Sequence, residues 1–310
     1  MKIAYIFPGQ GSQYVGMAKE FIENHAAAKE VFDTASAVLG YDLAQLCVHG
    51  PAEKLNLTEN TQPAILTTSI AILRVLEGKG LAAGAAAGHS LGEYTAITAA
   101  GGLALTDAVG LVRKRGRYMQ EAVPAGVGLM AAILGMERLD VEKTCLEASK
   151  NGIVAPANYN SPGQIVIAGE KKAVETAMEL AKTAGAKRVV PLAVSVPSHC
   201  VLMKQAGERL AKELDAVTLG DLRFPIVNNA DAKILRTAAE LKPSLIRQIS
   251  SSLFWEDSIN RLTTDGFDTF VEIGPGKVLS GLVKRIARDA KVLNVEDLKS
   301  MGETLSALKL

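Results

Sequence analysis

The chain has 310 residues, 48% of them hydrophobic, enough to bury a sizeable core and too many for one small layer, so one larger and one smaller domain are expected. Lys and Arg number 34 against 33 Asp and Glu; the net charge of +1 excludes a general electrostatic pull toward nucleic acid or an anionic membrane and confines any charged partnership to a local patch. No stretch approaches the roughly 20 apolar residues of a membrane span, and MKIAYIFPGQ lacks the pattern of a signal peptide, so a cytoplasmic protein is expected, with no membrane partner.

In chain order, KIAYIF (2–7) predicts a short strand ended by Pro8-Gly9, with a helix from about Gly16. Cys47, Cys145 and Cys200 are an odd number, far apart, as suits a reducing compartment; Cys47 and His49 have no second pair nearby, so no metal is expected. Residues 62–77 show helical spacing of apolar positions up to Gly78 and Gly80. LAAGAAAG (81–88) reads as a strand leading to the next turn, although by propensity it is poor strand material because it lacks β-branched residues. After a helix over residues 106–122, the character of the chain changes at Pro124 and Gly126. GLMAAILG, ERLDVEKTCLEASKNG, IVAPANY, QIVIAG, KKAVETAMELAKTAG and KRVVPLAV then read β-α-β-β-α-β, the ferredoxin-like order, with a turn at Ser161-Pro162-Gly163. The expected small domain is therefore residues 126–196, inserted into a larger α/β domain made of 1–125 and 197–310. FPIVNN (224–229), TFVEIG (269–274) and KVLNV (291–295) are the later strands, and their alternation with helices implies a mainly parallel sheet.

Gly88-His89-Ser90-Leu91-Gly92 fits G-x-S-x-G, the sharp strand-to-helix turn that lifts a serine hydroxyl clear of a sheet, with the Leu91 N–H placed to receive an oxyanion. An ordinary tight turn with a small residue would give the same five letters. A serine nucleophile needs a base. His89 is adjacent and should point away; His25 and His49 read as surface residues. His199, in VSVPSHC, lies where the small domain ends and a helix re-enters the large one, so it faces the crevice between them. A satisfied histidine at a helix start is the other reading, and Cys200 reads as a small buried residue. Along 106–122 the apolar stripe of Ala108, Val112, Met119 and Ala122 also includes Arg115, while Arg113, Lys114 and Arg117 fall off it. A guanidinium there needs an anion: either a protein carboxylate or one arriving with the substrate.

FPGQGSQ (7–13), QPA (62–64), GHSLGEY (88–94), RGRYMQEAVP (115–124), NYNSPGQIVIAG (158–169), SVPSH (195–199) and EIGPGKVLSGL (272–282) together resemble the bacterial malonyl-CoA:acyl carrier protein transacylases. The resemblance implies an α/β-hydrolase-like domain interrupted by a ferredoxin-like one, a Ser90–His199 pair, and an oxyanion hole from the N–H groups of Gln10 and Leu91. It implies that Arg115 holds a malonyl carboxylate and that the Gln248 carbonyl orients His199 in place of an Asp, with Gln62, Asn160 and His89 in support. Ser198 is the form associated with malonyl rather than bulkier units. The implied reaction is ping-pong transfer of malonyl through a serine ester to acyl carrier protein, in fatty acid or polyketide synthesis, with coenzyme A and phosphopantetheine thioesters as substrates and no cofactor. The segment after Gln248 departs from the family pattern in reading SSSLFW. EIGPG lacks the phosphate-loop spacings and reads as a strand-to-helix turn.

Three rival functions make different demands. A serine esterase or thioesterase would place a carboxylate behind the histidine and have no use for a buried Arg115. A patatin-like lipase would pair Ser90 with Asp265, which a turn at Asp265-Gly266 already explains. The third is a catalytically dead carrier-binding subunit.

Overall fold

The computed structural model describes residues 1–124, 126–192 and 196–310. Ala125 at the expected domain boundary, Ala193 and Val194 of the expected last small-domain strand, and Ser195 of SVPSH lie outside the described residues.

The chain begins with β1 (Ile3–Phe7), α1 (Lys19–Asn24), α2 (Ala26–Leu39), α3 (Leu43–His49), α4 (Ala52–Leu55), α5 (Thr58–Gly78), β2 (Ala85–Gly88), α6 (Leu91–Ala99) and α7 (Leu105–Ala122). It continues through β3 (Gly128–Leu134), α8 (Arg138–Ala148), β4 (Val154–Ser161), β5 (Gln164–Glu170), α9 (Lys171–Thr183) and β6 (Arg188–Pro191). Then follow α10 (Lys204–Asp215), β7 (Ile226–Val227), β8 (Ile234–Leu235), α11 (Ala238–Gln248), α12 (Trp255–Thr264), β9 (Thr269–Ile273), α13 (Val278–Ile286), β10 (Lys291–Val295) and α14 (Leu298–Leu308).

The larger sheet has the order β10-β9-β1-β2-β7-β8, parallel throughout except for the β7–β8 hairpin. Alternation along β1 sends Tyr5 and Phe7 into the core beneath α2, α5 and α7, while Ala4 and Ile6 face α12 and α13. The smaller sheet, β4-β5-β3-β6, is antiparallel, with α8 and α9 on one face: the expected ferredoxin-like arrangement. Its other face, through Met130, Val166 and Ala168, packs against Cys200, so the crevice between the sheets is closed at its floor by apolar contact.

Three local expectations are corrected, and the alanine-rich strand before Ser90 is borne out. The long helix starts at Thr58, one turn before residue 62. The alanine-rich segment does form a strand at Ala85–Gly88, because β1 and β7 supply ladders on both sides; Ala85 and Ala87 share a buried cluster with Trp255, whose bulk their small side chains accommodate. FPIVNN shrinks to two strand residues plus the unforeseen β8. Beyond Val227 the Asn228 N–H donates to the Lys233 carbonyl and its side-chain carbonyl accepts from Lys233 N–H, closing the turn to β8, while Asn229 turns toward α6. His199 does not start a helix; it sits in a bend at φ 61°, and α10 begins only at Lys204 after a short turn at Val201–Met203. The SSSLFW segment stitches the two sheets together, since Leu253 N–H donates to the Ala157 carbonyl, Tyr159 N–H donates to the Leu253 carbonyl and Ser252 Oγ donates to the Pro156 carbonyl.

Candidate active site

The carboxyl ends of parallel β1 and β2 open into the crevice beneath the smaller sheet, the position where α/β sheets bind ligands. Ser90, two residues past β2 and just before α6, has φ 53° and ψ −106°, a strained conformation costing about 1–3 kcal/mol. The turn closes only with glycine on both sides: a Cβ on Gly88 would lie 1.9 Å from the Gly92 carbonyl carbon, and one on Gly92 would lie 2.1 Å from the Phe7 oxygen. Asn229 holds the strained turn from outside. Its Oδ1 accepts from Ser90 N–H (2.7 Å), its Nδ2 donates to the Gly88 carbonyl (2.7 Å), and its own N–H donates to Glu93 Oε2 (2.9 Å).

The turn leaves the Leu91 N–H at the start of α6 without an acceptor among the described residues, and the Gln10 N–H after β1 is likewise free. Both residues line the same cavity as Ser90, about 140 Å³, together with Arg115, Met119, Met130 and His199. A second cavity of about 260 Å³ adjoins it, sharing Gln10, His89, Asn158 and Leu192 and extending to the start of α13.

His199 Nε2 lies 2.8 Å from Ser90 Oγ, and its Nδ1 lies 2.9 Å from the Gln248 carbonyl oxygen. A carbonyl only accepts, so Nδ1 carries the proton and Nε2 presents a lone pair to the serine hydroxyl. Burial, then the nearby Arg115 charge, push the imidazole down to about 3 against the pull of the Gln248 hydrogen bond. The histidine is neutral at physiological pH.

Arg115 is 1% exposed, where the apolar stripe of α7 predicts it. Its Nη1 donates to Gln62 Oε1 (2.8 Å); its Nη2 donates to Gln248 Oε1 (3.0 Å) and Ser90 Oγ (3.2 Å). The guanidinium carbon lies 5.2 Å from the centre of the Tyr94 ring, and Nε has no partner. No carboxylate pairs with it among the described residues, so the internal salt bridge left open by the sequence is not made. Arg113 is half-buried and donates to the Leu39 carbonyl, while Lys114 and Arg117 are exposed and pair with Glu213 and Glu121.

His89 Nε2 lies 2.9 Å from Asn160 Oδ1, and the ring meets Trp255 edge to face at 5.7 Å. It turns away from Ser90 Oγ, as the sequence predicts, and both it and Asn160 border the second cavity. Asp265 lies before β9, at the opposite end of the sheet from Ser90, where its carbonyl accepts from Lys2 Nζ; it cannot serve this serine. Cys47 is buried and His49 exposed on α3.

Sequence reasoning missed two residues. Glu93, fully buried in the first turn of α6, accepts from Asn229 N–H, Gln248 Nε2 (2.9 Å) and Ser244 Oγ, and burial raises its carboxyl to about 7. Asn229 was the other. The available signals were an acidic residue in an otherwise apolar short helix and an asparagine pair at the carboxyl end of a short strand.

The fold, with a serine and a histidine meeting at the ends of parallel strands, is that of an acyltransferase, and the chain belongs to the acyl transferase family, whose acyl transferase domain model matches residues 4–305. The resemblance read from the motifs is borne out over nearly the whole chain. A malonyl CoA-acyl carrier protein transacylase of Bacillus subtilis is 50% identical over 309 residues, covering 99% of this chain and 98% of that one. The Escherichia coli K12 protein of the same name is 50% identical, covering 98% of this chain and 99% of its own. Among solved structures, an acyl carrier protein S-malonyltransferase from Vibrio cholerae superposes with a TM-score of 0.96 at 47% identity, covering 98% of this chain and all of that one. A malonyl-transacylase solved in complex with a type II PKS acyl-carrier protein superposes at 0.97 with 46% identity, covering 99% of this chain and 100% of its own. Among the described residues no helix is long and apolar enough to cross a membrane.

Proposed function

We propose that this chain transfers malonyl from malonyl-CoA to the phosphopantetheine thiol of acyl carrier protein through an ester on Ser90. The observation that carries the reading is Arg115: a buried guanidinium beside Ser90, held by two neutral amides and lacking a carboxylate. No carboxylate among the described residues contacts this buried charge directly, and a malonyl carboxylate entering the cavity supplies that contact. The relatives named above support the substrate and the carrier partner.

In the first half, Ser90 Oγ attacks the thioester carbonyl carbon while His199 Nε2 takes its proton, and the carbonyl oxygen gathers charge facing the Gln10 and Leu91 amides. The carbon–sulfur bond breaks, coenzyme A sulfur takes the proton from His199, and malonyl stays on Ser90. In the second half the carrier thiol gives its proton to His199, its sulfur attacks the ester, and Ser90 Oγ leaves with that proton. The Gln248 carbonyl aligns the imidazole, which burial keeps neutral and therefore ready to accept at each half. Asn160 and His89 support the wall of the adjoining cavity, and Gln62 and Gln248 aim the guanidinium.

The catalytic unit in this reading is residues 1–125 with 197–310, and residues 126–196 form the inserted unit that roofs the crevice. Their separate sheets support that division. The three free thiols are buried and suit a cytoplasmic location, and the chemistry needs no cofactor.

Incubation with labelled malonyl-CoA followed by peptide mapping should find the label on Ser90 alone. Wild type should prefer malonyl-CoA to acetyl-CoA by something on the order of 10⁴ in kcat/KM. Arg115→Ala should lose roughly 2–5 kcal/mol of transition-state stabilisation for malonyl and little for acetyl. A proportional loss for both substrates, or a label on another serine, overturns the reading.

A further inference from the structure

Two opposite charges are buried at the base of the site without touching. Arg115 and Glu93 form no ion pair; between them stands a single amide, Gln248, whose Oε1 accepts from Arg115 Nη2 at 3.0 Å and whose Nε2 donates to Glu93 Oε2 at 2.9 Å. The amide is oriented as those charges require, with its oxygen to the cation and its nitrogen to the acid. Acyl transfer through Ser90 and His199 makes no use of Glu93.

We propose that Glu93 is the counter-charge of Arg115, and that it takes up a proton from solvent when a substrate carboxylate pairs with that guanidinium. The proposal rests on the reading of Arg115 as the carboxylate receiver. Before binding, cation and carboxylate offset one another across Gln248. The incoming carboxylate neutralises Arg115 from the cavity side and leaves Glu93 as an uncompensated buried anion, which is expensive. Protonating Glu93 removes that anion. Burial already holds its carboxyl near 7, opposed by the hydrogen bonds from Gln248 and Asn229 and then by the Arg115 charge.

Every element packed against α6 agrees with this assignment. Arg115 on α7 is the charge that acts on Glu93. The α11 side presents Gln248 and Ser244 and the segment after β7 presents Asn229, all uncharged, while α5, β1 and β2 bring no charge to bear. His199 lies beyond the Gln248 carbonyl and stays neutral, so the proton does not disable the base. Glu93 thus acts through Gln248 and Arg115 as a positioning residue.

The test uses Ser90→Ala, which cannot be acylated, titrated calorimetrically with malonyl-CoA in buffers of different ionisation enthalpy. Uptake of up to about half a proton per ligand is expected near pH 7, where Glu93 is half protonated before binding, rising toward one near pH 8 and falling toward zero at about pH 5, where Glu93 is protonated in both states. Acetyl-CoA should give none, and adding Glu93→Gln should remove the uptake while malonyl-CoA still binds. Uptake that survives Glu93→Gln overturns the proposal; so does absence of uptake while malonyl-CoA binding still depends on Arg115. Binding that neither prefers malonyl-CoA over acetyl-CoA nor weakens in Arg115→Ala instead refutes the carboxylate reading on which the proposal stands. Should Glu93→Gln fail to fold, the Glu93 carboxyl resonance of ¹³C-glutamate-labelled Ser90→Ala follows the same proton directly. Its titration midpoint should rise on adding malonyl-CoA, and an unmoved midpoint overturns the proposal.

Discussion

His199 is held neutral by burial and by the Arg115 charge, against a backbone carbonyl that favours the cation. Removing a like charge makes protonation easier, so Arg115→Gln should move the imidazole titration midpoint upward, read by ¹³C or ¹⁵N resonances of His199 without substrate. A midpoint that stays put would show that burial alone keeps the ring neutral. The same logic explains the absent Asp: Nδ1 needs an acceptor to fix the tautomer, and the Gln248 carbonyl supplies one at 2.9 Å without adding a negative charge that would raise the base toward working pH. Gln248 therefore links guanidinium and Glu93 through its side chain and the base through its backbone carbonyl, so substituting it should disturb the first two while leaving His199 its acceptor.

At the scale of elements, the site depends on how closely α7 crosses α5. A Cβ on Gly116 would lie 2.5 Å from the Thr58 carbonyl oxygen and 2.9 Å from Glu59 Cα, so the two backbones nearly touch beside Arg115. That contact lets the guanidinium of α7 reach Gln62 on α5 at 2.8 Å. Gly116→Val should push the helices apart, destabilising the fold by roughly 1–3 kcal/mol in denaturant titration and eroding the preference for malonyl-CoA over acetyl-CoA. Gly110→Ala on the same helix is the control. Its added methyl meets only Val38 at 3.8 Å, so stability should hold or rise by up to about 1 kcal/mol with selectivity unchanged.

The whole molecule carries its buried acids and bases in opposition. Glu93 and Glu272 both titrate near 7 when folded, above their ordinary value, so folding takes up protons there and stability falls as pH rises from about 4.5 to 7. His199 and His89 are lowered by burial; the unfolded chain binds those protons first, so their contribution is present above about 6.5 and is lost as pH falls. The two effects oppose one another between about 4.5 and 6.5, and a plateau of stability is expected there. Below it the histidines act unopposed, and Glu213, Glu240, Asp268 and Asp297, whose hydrogen bonds lower them, add their own losses. Thermal melts across this range should show the plateau and the acid fall. Glu93→Gln removes one opposing acid, so its Tm should climb with pH across the plateau; a flat variant curve would place that balance elsewhere.

What the sequence determined by itself was whatever short-range chemistry encodes. The alternation in KIAYIF, the helical stripe carrying Arg115, the β-α-β-β-α-β order and the glycines around Ser90 each sit within a few residues of one another, and each was legible. The pairing of Ser90 with His199 was legible in part, because His199 falls where the chain crosses between units. Glu93 and Asn229 were not. Nothing near Asn229 in sequence shows that a serine 139 positions away needs an acceptor for its amide, and nothing near Glu93 shows that Arg115 lies beyond one glutamine side chain. The alanine-rich β2 was legible only as a strand of poor propensity, because its strand character comes from the ladders of β1 and β7 and from the room that Trp255 requires. Tertiary structure alone decided where buried charge is balanced, because that balance is set by distance through a low-dielectric interior, and distance along the chain carries no record of it.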